Sequence, residues 1–384
     1  MANKELDLND IANQCIEAIA DKIKNLNTLN IIVAGKTGVG KSTLINSIFR
    51  EQLAETGIGK PVTDHMRRLS KENVPLAIYD TKGFELGKDA QTEVKDEIMK
   101  VIRDGLATKD INKSIHCIWY CINSTSNRVE QEEIEWLKDF ARENQITQVP
   151  VIIVLTQCIS KKQAQEMRNT ILDENLDVVQ VVPVLAQDYP IDDDYVAKSF
   201  GLDVLVDVMK ESLPSELLDT LQNVQQASLK AKRRHAQTAV ATASATAVGE
   251  CLVPVPLVDC AMLVPTQVGM IASITAIYGI EMNTSMIIGF VSSVIGSGGA
   301  TMAGKALFAS LLKLIPGGAI AADVISGSTA GLITTALGEA YILLMEAIYK
   351  GEMSAKDITT DVGKEKMKEF FKTELTELKT KATE

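Results

Sequence analysis

A glycine-rich segment near the start of the chain has the residue types and spacing that hold a phosphate chain. Residues 35–42 read GKTGVGKS and lie between an apolar run and a helical pattern. Glycines let successive backbone N–H groups turn inward around an anion, and Lys41 and the helix N-terminus add positive charge. The hydroxyl of Ser42 is a ligand for Mg²⁺. The predicted nucleotide-binding residues here are Gly35, Lys36, Thr37, Gly38, Val39, Gly40, Lys41, Ser42 and Thr43.

A second group of candidate ligands comes after the next apolar run. VPLAIYD ends on Asp80, and Gly83 completes the spacing Asp-x-x-Gly. A carboxylate at a strand end holds magnesium through water in nucleotide sites, and the Gly83 N–H can contact the γ-phosphate. Because aspartate and glycine also end strands in ordinary turns, the position after a phosphate-binding segment is what favours a functional interpretation.

The segment between these two motifs supplies a candidate switch residue. ETGIGKPVTDHMRR reads as a flexible loop, and Thr63 within it can close over Mg²⁺ when the γ-phosphate is present, with Thr56 as the rival. A solvated turn threonine is the alternative. The sequence therefore predicts Ser42, Thr63 and Asp80 as metal ligands, and Lys41, Thr63 and Gly83 as catalytic residues.

Composition limits the class of protein that carries these motifs. The chain has 384 residues, and 39 Lys and Arg against 50 Asp and Glu give a net charge of −11, which disfavours nucleic acid as a partner. The six cysteines show no clustered spacing, and the N-terminal residues lack an apolar leader. We therefore expect a reduced, cytoplasmic compartment.

The pattern of apolar residues divides the chain into an α/β part and a helical part. Short β-branched runs between residues 29 and 184 alternate with helical stretches, which predicts a mostly parallel sheet covered by helices. The segment 236–350 contains few charges and predicts an all-α hydrophobic domain. The expected parts are an amphipathic helix (1–28) that packs on the segment after it, an α/β nucleotide-binding domain (29–200), a helical connector (201–235), the hydrophobic domain (236–350) and a closing amphipathic helix (351–384).

The hydrophobic domain allows two interpretations. The uncharged stretches 260–280 and 282–304 are each long enough to span a bilayer, which takes about 20 residues. Serines, glycines and Pro265 dilute their apolar character, so a soluble bundle of buried helices explains them too. The basic run at 230–234 is either a cytoplasmic flank of a membrane segment or a solvated helix end. We expect association with a membrane, or with a membrane protein, through 236–350.

Four segments together resemble the Era-like branch of the translation-factor class of P-loop GTPases. They are GKTGVGKSTLINSIF, the loop around Thr63, DTKGFE and SIHCIWYCINSTSNRVEQEEIEWL, and the resemblance covers about residues 29–200. The chain also resembles a bacterial subfamily whose G domain is followed by a charge-poor helical domain, and its architecture is similar to that of immunity-related GTPases. The resemblance implies a guanine nucleotide as partner, GTP as substrate, Mg²⁺ as cofactor and a possible G-domain homodimer.

Two departures from that family pattern bear on specificity and rate. In the family, the motif that reads the base is Asn or Thr, followed by Lys, then any residue, then Asp. This chain has Thr156, Gln157, Cys158 and Ile159 at those four positions. The Ala186 N–H remains as a further contact to guanine. The position after Gly83, often a Gln that orients water, is Phe84. We expect weakened discrimination against ATP and slow hydrolysis. A non-hydrolysing scaffold and a membrane channel or transport element regulated by the G domain are the alternatives.

Overall fold

The computed structural model describes residues 8–50, 58–81, 88–126, 129–251, 255–256, 263–295, 324–325 and 327–383. The chain forms two compact units: Leu26–Ala231 is the first, and Met1–Asn25 with Lys232–Glu384 is the second. This division places the N-terminal helix with the C-terminal half of the chain. Most of the expected connector, up to Ala231, belongs to the first unit.

A seven-stranded sheet organises the first unit, in the order β2-β3-β4-β1-β5-β6-β7. Its strands β4, β1, β5, β6 and β7 are parallel, whereas β2 and β3 add an antiparallel edge. The mostly parallel sheet predicted from the sequence is confirmed. The strands are β1 (Leu29–Ala34), β2 (Ile58–Pro61), β3 (Met66–Ser70), β4 (Leu76–Thr81), β5 (Cys117–Asn123), β6 (Val151–Thr156) and β7 (Gln180–Pro183).

Helices cover both faces of this sheet because its central strands are apolar on both sides. On β1, Ile31 and Val33 face one buried cluster while Ile32 and Ala34 face the other. Trp119 on β5 is fully buried and stacks on Phe49 with ring centroids 5.7 Å apart. The helices are α2 (Lys41–Ile48), α3 (Lys88–Ala107), α4 (Gln131–Asn144), α5 (Lys161–Asp173), α6 (Leu202–Ser212) and α7 (Leu218–Val224).

Two segments of the first unit differ from the sequence expectation. The loop around Thr63 is partly a β-hairpin, because β2 pairs with β3 and buries Met66 and Leu69. The apolar stripe of α6, which includes Leu205 and Met209, is buried in the sheet's own core cluster, so this helix is part of the α/β unit rather than a connector.

The second unit is built mainly from helices, with a short antiparallel pair of strands, Val255–Pro256 and Val324–Ile325. Helix α1 (Leu8–Lys24) buries Ile11, Cys15 and Ile19 and packs against two helices of this unit. The other helices are α8 (Leu229–Glu250, which begins in the first unit), α9 (Val264–Tyr278), α10 (Thr284–Ile295), α11 (Gly327–Tyr349) and α12 (Asp361–Thr383). Helix α1 contacts α9 and α10, and α12 contacts α10 and α11. An apolar stripe on a helix needs a covering surface, and here other helices provide it.

Part of the basic run at 230–234 is buried inside this unit. Lys232 has no solvent exposure, and its Nζ donates to the carbonyl oxygen of Ile277 at 2.7 Å. Arg233 pairs with Glu346 at 3.0 Å and lies 3.9 Å from Glu339. A buried charge requires hydrogen-bond or ion-pair partners, and Lys232 and Arg233 both have them. This part of the basic run is therefore not a solvated helix end.

The hydrophobic segment contains one helix among the described residues that is long and apolar enough to cross a bilayer. It is Ser328–Tyr349, with a mean hydropathy of 1.4 and 72% of its apolar window buried by the rest of the protein. The two stretches that are long enough to span contain α9 and α10, whose described parts have 15 and 12 residues, fewer than a span needs. Helix α9 ends at Gly279, whose φ of 66° stops it before Glu281.

Candidate functional site

The segment 35–42 forms a loop from the end of β1 to the first turn of α2. Gly35, Gly38 and Gly40 have φ angles of 139°, 75° and 95°, which side-chain-bearing residues rarely adopt. A Cβ on Gly35 would come within 2.3 Å of the Cys121 carbonyl oxygen, so the loop approaches β5 too closely for any other residue. The glycines allow the left-handed backbone turns that a phosphate-binding loop requires, and phosphate binding itself stays a prediction.

The two lysines of this loop have different partners. Lys41 turns back, and its Nζ donates to the carbonyl oxygens of Gly35 and Lys36 at 2.8 and 3.0 Å. Lys36 pairs with Glu130 at 2.7 Å and with Glu133 at 3.3 Å. Burial alone would lower the pKa of Lys36, but the two carboxylates outweigh it and raise that pKa. Lys36 is therefore charged at neutral pH, and Lys41 links two backbone carbonyls of the loop.

Two residues at the end of β6 donate hydrogen bonds to the backbone of the same loop. The Thr156 hydroxyl lies 2.5 Å from the carbonyl oxygen of Val39, and the Gln157 Nε2 donates to that of Gly38 at 2.9 Å. Gln157 has a φ of 54°, an unusual conformation for a residue with a side chain. The predicted base-site residues Thr156 and Gln157 thus contact the predicted phosphate loop directly. No sequence pattern signals these two bonds.

Two of the candidate metal ligands, Asp80 and Ser42, belong to β4 and to the helix after its neighbour β1. Asp80 is the second-last residue of β4, opposite Val33 of β1, two residues before Gly35, and its side chain pairs with Arg67 at 3.1 Å. Ser42 is exposed at the start of α2. A hydroxyl and a carboxylate are oxygen donors of the kind that Mg²⁺ takes, so this donor set fits the ion.

Thr63 lies in the turn of the β2–β3 hairpin and is bound to α3. Its hydroxyl donates to Glu97, which also accepts from the His65 backbone N–H at 3.3 Å and contacts the His65 Nδ1 at 3.1 Å. Partial burial opposes ionisation of Glu97, but the bonds from Thr63 and His65 prevail and lower the pKa of its carboxyl. We call these three residues the Thr63 cluster. Gly83, with Thr56, Lys82 and Phe84, lies outside the described residues.

A cleft opens beside the phosphate loop, and we call it the base cleft after the predicted base-contact residues in its lining. It has about 670 Å³ of empty volume, partly open to solvent, and Gly40, Thr156, Gln157 and Ala186 line it. Residues predicted from three separate segments therefore line one cleft. The sequence analysis missed the loop after Ala186, whose residues Gln187, Asp188 and Tyr189 line the same cleft.

These features define a P-loop GTPase type of domain in the first unit, followed by a helical region. Comparison with known proteins agrees: residues 30–157 match the family described as 50S ribosome-binding GTPase, and residues 215–380 match a domain of unknown function, DUF697. The second match begins within the first unit, so it covers the helical unit and part of the α/β unit.

Curated relatives match a part of the chain. Neuronal-specific septin-3 of Danio rerio is 24% identical over 168 residues, which are 38% of this chain and 46% of the relative. Probable GTP-binding protein EngB of Kosmotoga olearia is 26% identical over 37% of this chain and 68% of the relative. Translocase of chloroplast 90 of Arabidopsis thaliana is 37% identical over 20% of this chain and 10% of the relative. The chain spans about half the length of the septins that it matches.

Proposed function

We propose that the protein is a Mg²⁺-dependent GTP-binding switch that hydrolyses GTP slowly and whose nucleotide state controls the helical unit. The observation that carries this proposal is the loop at 35–42, in which three glycines with positive φ stand between β1 and α2 and Lys41 points back into the loop. Membership of the Era-like branch belongs to the proposal and rests on the motifs GKTGVGKS and DTKGFE.

Each step of binding is assigned to residues of this chain. The backbone N–H groups of the loop and the Lys41 ammonium bind the phosphates, because a triphosphate offers better acceptors than the carbonyls of Gly35 and Lys36. Ser42, Asp80 and Thr63 would hold Mg²⁺, which neutralises phosphate charge when bound. Asp80 must then share its carboxylate between Arg67 and the metal's water shell.

Slow hydrolysis is expected from what the site offers to the reaction. The positive charge of Lys41 and the backbone N–H groups stabilise the negative charge on the phosphoryl group in the transition state. This accelerates hydrolysis even without a general base. Phe84, in the position after Gly83, cannot orient water. A scaffold that binds GTP without hydrolysis is the second candidate, because Thr63 is held by Glu97 instead of standing free.

Calorimetry and single-turnover kinetics test the proposal together. We expect the full chain to bind GTP in the presence of Mg²⁺, with ATP weaker, and we expect Lys41→Ala to lose binding. Phosphate release in a single turnover, slow but above that of Lys41→Ala, separates the switch from the scaffold. ATP affinity equal to or better than GTP affinity would refute the guanine assignment.

Control of the helical unit is the part of the proposal that concerns a membrane. Helix α11 is apolar enough to enter a bilayer, yet most of its apolar window is buried, so membrane entry requires its exposure. We expect flotation with liposomes to differ between GDP and a non-hydrolysable GTP analogue. Equal flotation in the two states would refute the coupling, and no flotation in either would favour the soluble bundle.

Self-association of the G domain is proposed from an exposed apolar hairpin beside the base cleft. Its strands are β8 (Tyr189–Pro190) and β9 (Val196–Ala197), and Tyr189, Ile191 and Tyr195 in this hairpin are each about half exposed to solvent. Exposed apolar groups of this size are typical of interaction sites. Sedimentation velocity with the non-hydrolysable analogue should show a dimer, and a monomer at all concentrations would argue against it.

A further inference from the structure

The base cleft lacks a carboxylate at the position where the family motif has one to read guanine. An inference about which residue reads guanine instead rests on the proposed function that the cleft binds guanine. Guanine presents a ring N–H and an exocyclic amine side by side, and a carboxylate accepts from both. Here the corresponding position is Ile159, which lines the cleft and has no polar side-chain atom. A pocket that prefers guanine must therefore hold its acceptor elsewhere.

We propose that Asp188 is the residue that reads guanine in this protein. It lies in the loop after β7 and lines the cleft together with Gly40 and Ala186. Of the described residues that line this cleft, Asp188 is the one that carries a carboxylate. Its side chain is 45% exposed, so a ligand in the cleft can reach it. Ala186, two residues earlier, can offer its N–H to the guanine carbonyl from the same loop.

The surroundings of Asp188 keep its carboxylate ionised and fixed. The Lys198 Nζ lies 2.8 Å from Oδ2, and the Ser199 backbone N–H donates to Oδ1 at 2.8 Å. These bonds hold the pKa of Asp188 below its usual range. Each carboxylate oxygen can accept about two hydrogen bonds, so each keeps one acceptor direction for the base. The two bonds hold the carboxylate in place, and it can still accept further hydrogen bonds from a base.

Besides Asp188, two described residues that line the cleft carry a side-chain carbonyl oxygen, Gln157 and Gln187, and the other polar side chains there are hydroxyls. Gln157 donates its amide N–H to the carbonyl of Gly38, which orients it toward the phosphate loop. Gln187 is exposed and neutral, and a neutral amide has one acceptor oxygen where guanine needs two aligned acceptors. Asp188 therefore matches guanine better than either glutamine does.

Xanthosine triphosphate gives a test with a gain of function. Its base carries a carbonyl where guanine has the exocyclic amine, and an asparagine amide can donate to it. In Asp188→Asn the Oδ1 atom can still accept from the Ser199 N–H, so the loop keeps this bond. Titration calorimetry with Mg²⁺ should show that Asp188→Asn binds GTP about 10- to 100-fold more weakly than wild type and binds xanthosine triphosphate more tightly than wild type does.

Asp193→Asn is the matched control, because Asp193 is an exposed carboxylate in the β8–β9 turn that does not line the cleft. It should bind both nucleotides as the wild type does. If Asp188→Asn keeps the wild-type ratio of GTP to xanthosine triphosphate while wild type binds GTP, the assignment of Asp188 is overturned and the proposed function stands. If wild type binds no GTP, the proposed function fails and the assignment fails with it.

Discussion

Removal of the Glu97 carboxylate should make the protein bind GTP more tightly. In the present structure Thr63 donates to Glu97, and the same carboxylate holds the backbone and ring of His65. If Thr63 is the switch threonine of the proposed function, it must leave this cluster before it can approach Mg²⁺ and the γ-phosphate. The free energy needed to break the cluster therefore reduces the binding free energy of a triphosphate. The same holds for any protein whose binding-competent state is not the populated one.

The size of the effect is set by the bonds that are broken. A hydrogen bond to a charged group contributes about 1.5–3 kcal/mol, and we take about 1 kcal/mol because the Glu97 side chain is 21% exposed and water can replace the bond. That value corresponds to an about fivefold lower dissociation constant for Glu97→Ala. GDP lacks the γ-phosphate that recruits Thr63, so its affinity should stay unchanged.

Glu93→Ala is the control for this prediction. Glu93 lies one turn earlier on α3 and is exposed, so its removal changes the charge of the helix without touching the Thr63 cluster. Calorimetric titration of each variant with GDP and with a non-hydrolysable GTP analogue, both with Mg²⁺, gives the comparison. Equal analogue affinity in the two variants, or a parallel gain for GDP in Glu97→Ala, would refute the reasoning.

Two further predictions concern the stability of the first unit, which holds both tryptophans, so that urea unfolding followed by tryptophan fluorescence reports on it. Gly35→Ala should lower the free energy of unfolding by about 3 kcal/mol and Gly38→Ala by about 1 kcal/mol. The reason is that a Cβ on Gly35 meets the Cys121 carbonyl at 2.3 Å, whereas one on Gly38 meets nothing within 4 Å; equal losses would contradict it. Burial lowers the pKa of His116 to about 4, and the neutral ring accepts from the Asn30 N–H at 3.0 Å. The His116 ring binds a proton more readily in the unfolded chain than in the folded one. The free energy of unfolding is therefore highest above the ordinary histidine pKa and falls by about 2 kcal/mol between about pH 7 and about pH 5. His116→Gln should remove that part of the pH dependence, and an unchanged slope would count against it.

The sequence predicted the parts of the site that depend on local pattern. Gly35 to Ser42 carry their own conformational signal, because glycines and a following helix specify the loop without help from distant residues. Asp80 at the end of an apolar run is local in the same sense. The five parallel strands were predictable from β-branched runs alternating with helical stretches.

The rest depends on contacts between residues far apart in the chain. Thr63 and Glu97 are 34 positions apart, and nothing in either segment shows that the helix would hold the hairpin turn. Asp188 enters the base cleft because the loop after β7 lies beside β6, which sheet order decides. The apolar pattern near the N-terminus predicted a helix, and α1 is present there, but an apolar stripe does not specify which surface covers it.

The most direct test of the central claim is a crystal structure of the full chain grown with a non-hydrolysable GTP analogue and Mg²⁺. We predict the triphosphate inside the loop at 35–42, with the Lys41 Nζ moved from the carbonyl oxygens of Gly35 and Lys36 to phosphate oxygens. A loop without nucleotide, with Lys41 still on those two carbonyls at saturating analogue, would contradict it.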